Sequence, residues 1–203
     1  LNMDDGENEM KLGAFEYYLI IINVVGLVVF LINKLLYDHT ATGQIDALLT
    51  IVSILGGSAG IIAAILIFDR KSHKENMMSR IFVACIFVIQ IILLLIVKGN
   101  LADHITFSFG DFFKRNKILS FYLIVINIVT FAAFAMDKIA AMEHRSRIRI
   151  VTLLGLSFAG GSIGAWIAMY LFRHKTRKDY FTVGVPLTLV MHIVIIFFLM
   201  NIK

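Results

Sequence analysis

Six apolar runs decide what this chain can become: about 16–37, 47–68, 80–97, 119–137, 150–172 and 184–202. Each holds about 18–23 residues, and about 20 residues at a rise of 1.5 Å cross the hydrocarbon core of a bilayer. Of the 203 residues 59% are hydrophobic and 16% charged, against roughly 45–50% and 25% in soluble domains. A soluble fold would have too little polar surface to cover so large a core. The expected class is an all-α polytopic membrane protein with six transmembrane helices.

The first run does not read as a signal peptide. It follows an acidic stretch (Asp4, Asp5, Glu7, Glu9) and exceeds the usual h-region of about 7–15 residues. Cys85 is the single cysteine and lies within an apolar run, which excludes an internal disulfide and a cysteine metal cluster. The net charge of +5 points to anionic lipid headgroups at helix ends rather than to nucleic acid.

The chain also repeats itself. A shift of 104 residues aligns 15–98 with 119–202 without a gap. Tyr18/Tyr122, Asn23/Asn127, Lys34/Lys138, Ser53/Ser157, Gly56/Gly160, Gly57/Gly161, Ser58/Ser162, Gly60/Gly164, Lys71/Lys175 and Lys74/Lys178 are identical pairs. Shared hydrophobicity does not align glycine, serine and lysine in one register, so the pattern is an internal duplication. It divides the chain into an acidic tail (1–14), a first, degenerate repeat (15–98), a linker (99–118) and a second repeat (119–203). Three spans per copy is an odd number. The second copy is then expected upside down, giving inverted topology about a pseudo-twofold axis in the membrane plane. On that topology Lys and Arg split ten against nine between the two sides, which leaves the orientation open.

The phrase "LGGSAGIIAAILIFDRKSHK" at 55–74 returns as "AGGSIGAWIAMYLFRHKTRK" at 159–178. Neither copy has the spacing of a phosphate loop. Gly56, Gly60 and Ala64, like Gly160, Gly164 and Ala168, recur every fourth residue and form small-xxx-small faces for helix packing. With Gly57 and Gly161 near mid-span, the second and fifth helices are expected to cross glycine face on glycine face. A backbone-lined ligand site is the alternative.

Polar residues at mid-depth are the ligand or translocation candidates: Asn23, Asn127, Ser58, Ser162, Gln90 and His192. Interhelical hydrogen bonding is the plainer reading, and a polar layer around a midplane site the sharper one. His192 stands out because imidazole changes charge near neutral pH. At the end of the fifth span, Arg173, His174, Lys175, Thr176, Arg177 and Lys178 form the anion or lipid-headgroup candidates, together with Asp137 and Lys138. Were the helix to continue, Arg173/Arg177 and His174/Lys178 would be like charges at i,i+4, and something negative should relieve them. Asp137 and His174 are expected at opposite membrane faces, about 30 Å apart, and so unable to form a dyad.

Asp137, Lys138, Ala141, Arg147, Ile148, Gly160, Gly161, Gly164, Arg173, His174, Lys175, Thr176, Lys178, Phe181 and Pro186 carry a resemblance. On these residues the second half resembles an uncharacterised bacterial membrane family, domain of unknown function 1294. Arg149-Ile150 stands where that family has Pro-Glu. The first half matches only as a degenerate copy, with Asn33 opposite Asp137 and Asp69 opposite Arg173. The resemblance implies location in the bacterial inner membrane but no established activity. The asymmetry suggests that the second half holds the chemistry and the first is scaffold.

The linker, with Phe107, Phe109, Phe112, Phe113, Lys114 and Arg115, reads as an interfacial segment or a flexible loop. The leading functional expectation is a transporter-like or channel-like protein passing a small ion or anion, or handling lipid phosphate, at a midplane polar site. The alternative is a membrane scaffold whose basic loops bind anionic lipid, protein or RNA. The bilayer and anionic headgroups are the expected partners, and a homo-oligomer is compatible with the sequence. Nothing in it calls for a cofactor, a metal or nucleic acid. A membrane enzyme using His174 and its neighbours on lipid phosphate ranks last, since no paired carboxylates, zinc ligands or serine–histidine pattern stands out and Asp137 and His174 are expected far apart.

Overall fold

A computed structural model describes residues 13–39, 46–69, 77–99 and 105–202. The acidic residues of the N-terminal tail, Lys71 and Lys74 lie outside the described residues. Among those described the chain is all-helical. The first repeat contributes α1 (Ala14–His39), α2 (Asp46–Val52), α3 (Ser58–Phe68) and α4 (Met77–Val97). A short α5 (Phe109–Arg115) lies in the linker. The second repeat contributes α6 (Lys117–Met142), α7 (Ile150–Leu156), α8 (Ser162–Leu171), a single turn α9 (Asp179–Thr182) and α10 (Gly184–Asn201). Six segments have the length and apolarity to cross a membrane, and two of them, 47–68 and 150–171, are broken in the middle.

The breaks are reversals. Ile148, just before α7, donates its N–H to Asp137 Oδ1 at 2.9 Å, while His174, just after α8, meets Asp137 Oδ2 at 2.7 Å. A straight helix over the 22 residues 150–171 would hold those ends about 33 Å apart. Both ends instead sit on one carboxylate, so the segment enters and returns on the same side. The turn falls at Ser157–Gly161, where Gly160 has φ 124° and ψ −8°, a conformation that L side chains rarely adopt. Gly56 repeats it at φ 117°. From there α8 runs alongside α6 in the same direction: Tyr122 reaches Ala159, Asn127 reaches Gly164, and Asp137 reaches His174. The first half follows suit, with Tyr18 bonded to Leu55, Asn23 to Gly60 and Lys34 to Phe68.

Each half therefore makes two full crossings and one re-entrant hairpin. This corrects the inverted repeat expected from three spans per copy. With two crossings, a copy ends on the side where it began, and the next copy keeps the same orientation. The packing of α4 against α10 shows it directly. These equivalent helices run parallel: Ile81 abuts Gly184 at one end, and Val88, Ile89, Met191 and Ile195 share one cluster with Cys85 and Phe158 further along. The pseudo-twofold axis lies along the helices, as in parallel-repeat transporters, and both hairpins open toward the same side.

The glycine faces are also reassigned. A Cβ at Gly164 would collide with the Asn127 backbone, and one at Gly60 with the Asn23 backbone. The small residues thus bring α8 against α6 and α3 against α1 within each half, rather than joining the two halves. Linker residue Thr106 is tied to Asn201 at the end of α10, and the exposed α5 packs on the start of α6.

Candidate functional site

At the apex of each hairpin the reversal strips backbone groups of helical partners, and in hydrocarbon each must find another. Asn127 supplies three bonds. Its Oδ1 accepts from Gly164 N at 2.7 Å, and its Nδ2 donates to Gly160 O at 2.9 Å and Leu123 O at 2.7 Å. Asn23 accepts from Gly60 N at 2.8 Å and donates to Leu19 O at 2.8 Å. From the opposite flank His192 Nε2 donates to Phe158 O at 3.0 Å, and its Nδ1 lies 3.0 Å from Ser162 Oγ. The carbonyl fixes the Nε2–H tautomer, so Ser162 donates to Nδ1. Gln90 plays the same part in the first half: it accepts from Ser58 Oγ and donates to Ser53 O at 2.7 Å and Ile54 O at 3.0 Å. Gln90 aligns with position 194 rather than 192, so the two braces reach equivalent apices from different helical positions. These six mid-depth candidates do not converge on one site. They divide into two clamps of three, and the described hydrogen bonds spend their polar atoms on holding the apices.

The mouth of the second hairpin is different. Asp137 is fully buried near the end of α6 and holds three donors: Ile148 N at 2.9 Å, His174 Nε2 at 2.7 Å and Lys175 Nζ at 2.7 Å. The expectation that Asp137 and His174 lie at opposite faces is overturned, because the fifth apolar run does not cross. The i,i+4 repulsion expected along Arg173–Lys178 is also absent as such, since α8 ends at Leu171. The exit turn is a tight C-cap in which His174 N bonds to Met169 O at 3.0 Å and Arg173 N to Tyr170 O at 3.3 Å. That places Arg173 (φ 43°) at a left-handed position usually held by glycine. Lys175 is left-handed too, at φ 63°. The negative group that relieves the basic run is Asp137 from the neighbouring helix.

Lys175 Nζ also stands 4.8 Å over the Phe181 ring, which packs edge-on against Phe134. Burial pulls the Lys175 amine below the usual lysine range and Arg147 adds to the pull, while the bond and charge of Asp137 oppose it. Around this pinned pair Arg147, Arg149, Arg173, Arg177 and Lys178 are exposed, whereas Thr176 and Lys138 are half-buried. The mouth therefore presents a rim of cations over a buried carboxylate that already accepts from three donors. In the first half Asn33 replaces Asp137, and Asp69 instead pairs with Arg80 at 2.9 Å. Among the described residues no group of three or more His, Cys, Asp or Glu side chains gathers to hold a metal.

Sequence reasoning missed Ile148 N, Thr130 against Gly161, and the Phe181 ring beneath Lys175. The Tyr18/Tyr122 identity was a usable signal, since both hydroxyls cap the hairpin apices at Leu55 O and Ala159 O.

This geometry defines a class: a multi-pass membrane protein of two parallel halves, each with a broken, re-entrant helix pair and one with a charged mouth. A family model described as "Protein of unknown function (DUF1294)" matches residues 127–181, which run from the Asn127 clamp to Phe181. The "Uncharacterized protein YsdA" of Bacillus subtilis (strain 168) is 38% identical over 79 residues, 39% of this chain and 89% of that protein. The chain belongs to the DUF1294 family. No solved structure matches it.

Proposed function

We propose that this protein lies in a bacterial cytoplasmic membrane with both hairpin mouths toward the cytoplasm, and that its second mouth binds the phosphate of anionic lipids. The orientation rests on charge. With parallel halves, the mouth side carries Lys34, Arg80, Lys138, Arg145, Arg147, Arg149, Arg173, Lys175, Arg177 and Lys178 among the described residues. The far side carries Lys98, Lys114, Arg115 and Lys117. Ten against four is the bias that places a face in the cytoplasm. The cytoplasmic leaflet is also where anionic lipid concentrates.

One observation carries the binding reading: the buried Asp137 carboxylate holds His174 and Lys175 in place beneath a rim of arginines. That carboxylate cancels one charge and leaves the others to an external anion. Phosphate suits them, because guanidinium groups bind it in bidentate fashion and a lysine adds a point charge. The test is binding of short-chain phosphatidylglycerol and phosphatidylcholine to the full chain in detergent. A preference for the anionic lipid that falls at least tenfold in Arg147→Ala/Arg173→Ala supports the reading, and equal affinity for both lipids refutes it.

Passage of a small ion is the second reading, favoured by two helices broken inside the bilayer at Gly56 and Gly160. Its test is flux from liposomes holding the purified chain. The clamps count against it, since the mid-depth polar atoms are engaged internally.

A further inference from the structure

We propose that His174 is a catalytic acid–base group for phosphoester hydrolysis at the second mouth, with Asp137 as its positioning residue. The inference rests on the binding reading above and adds chemistry to it. Asp137 Oδ2 lies 2.7 Å from His174 Nε2, and Oδ1 is held by Ile148 N, so the carboxylate cannot turn away. An ionised carboxylate accepts only, which puts the imidazole proton on Nε2 and leaves Nδ1 with a lone pair. Nδ1 has no protein partner among the described residues and is not sealed from the surface. The imidazole side chain is 13% exposed. A buried carboxylate that fixes the tautomer of a histidine, whose other nitrogen is left without a protein partner, is the arrangement of an activated base. Lys175 is fixed by the same oxygen, Arg173 precedes His174 directly, and Arg147 adjoins Ile148, which holds the other carboxylate oxygen.

The substrate class is a lipid phosphoester, with water as co-reactant. His174 Nδ1 takes a proton from water as the water oxygen forms a bond to phosphorus. The bond from phosphorus to the leaving alcohol oxygen breaks on the opposite, in-line face; that oxygen takes a proton from solvent water, and the imidazolium returns its own proton to solvent. Charge gathered on the remaining phosphate oxygens is met by Lys175 and the rim arginines. One alcohol and one phosphate species leave for each water consumed. Such acid–base work contributes roughly 10²–10⁴-fold to a rate.

The experiment uses the full chain in nanodiscs containing phosphatidic acid or phosphatidylglycerol, with products followed by phosphorus NMR. The expected result is release of phosphate or glycerol phosphate above protein-free discs. His174→Gln should lower it at least about 100-fold, and by far more than it lowers retention of anionic lipid. Asp137→Asn keeps the shape but not the charge and should lower the rate, and Asp137→Glu should restore part of it, a recovery that a merely structural role would not give. Should His174→Gln fail to fold, carbethoxylation of the wild type, reversed by hydroxylamine, gives the same readout through loss and recovery of the rate. No release from either lipid, with anionic lipid still retained, overturns the catalytic role and leaves the binding reading standing. No retention overturns both.

Discussion

At the scale of single residues, the most consequential contact is the one least readable from the sequence. Asp137 and Lys175 are 38 positions apart, and nothing in their spacing places them together. Their meeting follows from a backbone reversal between them. Removing the carboxylate leaves Lys175 buried without its partner, a loss of about 3–5 kcal/mol in pairs of this kind. Asp137→Ala should accordingly lower the unfolding temperature in detergent sharply, while Lys138→Ala on the next position should leave it almost unchanged. Arg173 gives the opposite sign. An L-residue held left-handed is disfavoured by roughly 1–2 kcal/mol. Arg173→Gly should therefore raise the unfolding temperature and weaken anionic-lipid binding in the same protein. Equal or lower thermal stability in Arg173→Gly would show that its guanidinium contributes more to the fold than its backbone subtracts.

At the scale of elements, the six apolar segments were legible from length and composition, and the duplication from its ungapped register. The reversal was not. Gly56–Gly60 and Gly160–Gly164 satisfy the spacing of a straight packing helix as well as they do a broken one, and the positive φ that separates the two is invisible in letters. One clue was available: a ten-to-nine split of all nineteen Lys and Arg is a poor outcome for a membrane protein. Among the fourteen in the described residues, the crossing topology divides them five to nine, and folding back the second and fifth segments makes it ten to four. The clamps make the break testable. Asn127→Ala strands Gly160 O and Gly164 N at the apex, at about 1–3 kcal/mol for each unsatisfied group. Gly164→Ala drives α8 off α6, whereas a Cβ at Gly155 meets nothing within 4 Å. Gly155→Ala should be neutral or stabilising by up to about 1 kcal/mol, since alanine favours a helix. Thermal unfolding of the three variants should rank them with Asn127→Ala and Gly164→Ala well below wild type and Gly155→Ala at or above it. Equal effects of the two glycine variants would contradict close packing of α8 on α6.

At the scale of the whole molecule, parallel halves assign sides. Cysteines placed at Arg147, Arg173 and Lys34 should react with an impermeant maleimide from one compartment, and cysteines at Lys98 and Lys117 from the other, with buried Cys85 silent in both. Labelling of position 173 together with position 117 would restore a crossing fifth helix and remove the hairpin. The candidate site was half legible. Its residues were named from the basic run and the Asp-Lys pair, but they were assigned to two surfaces because the topology was miscounted by one crossing per half. That parity has a further consequence. A unit that leaves the bilayer where it entered can be copied head to tail by a simple tandem event, and the new copy is already facing the right way. An ancestor with one unit could thus associate side by side with its twin before any fusion, and the fused chain could let one mouth lose its acid while the other kept it.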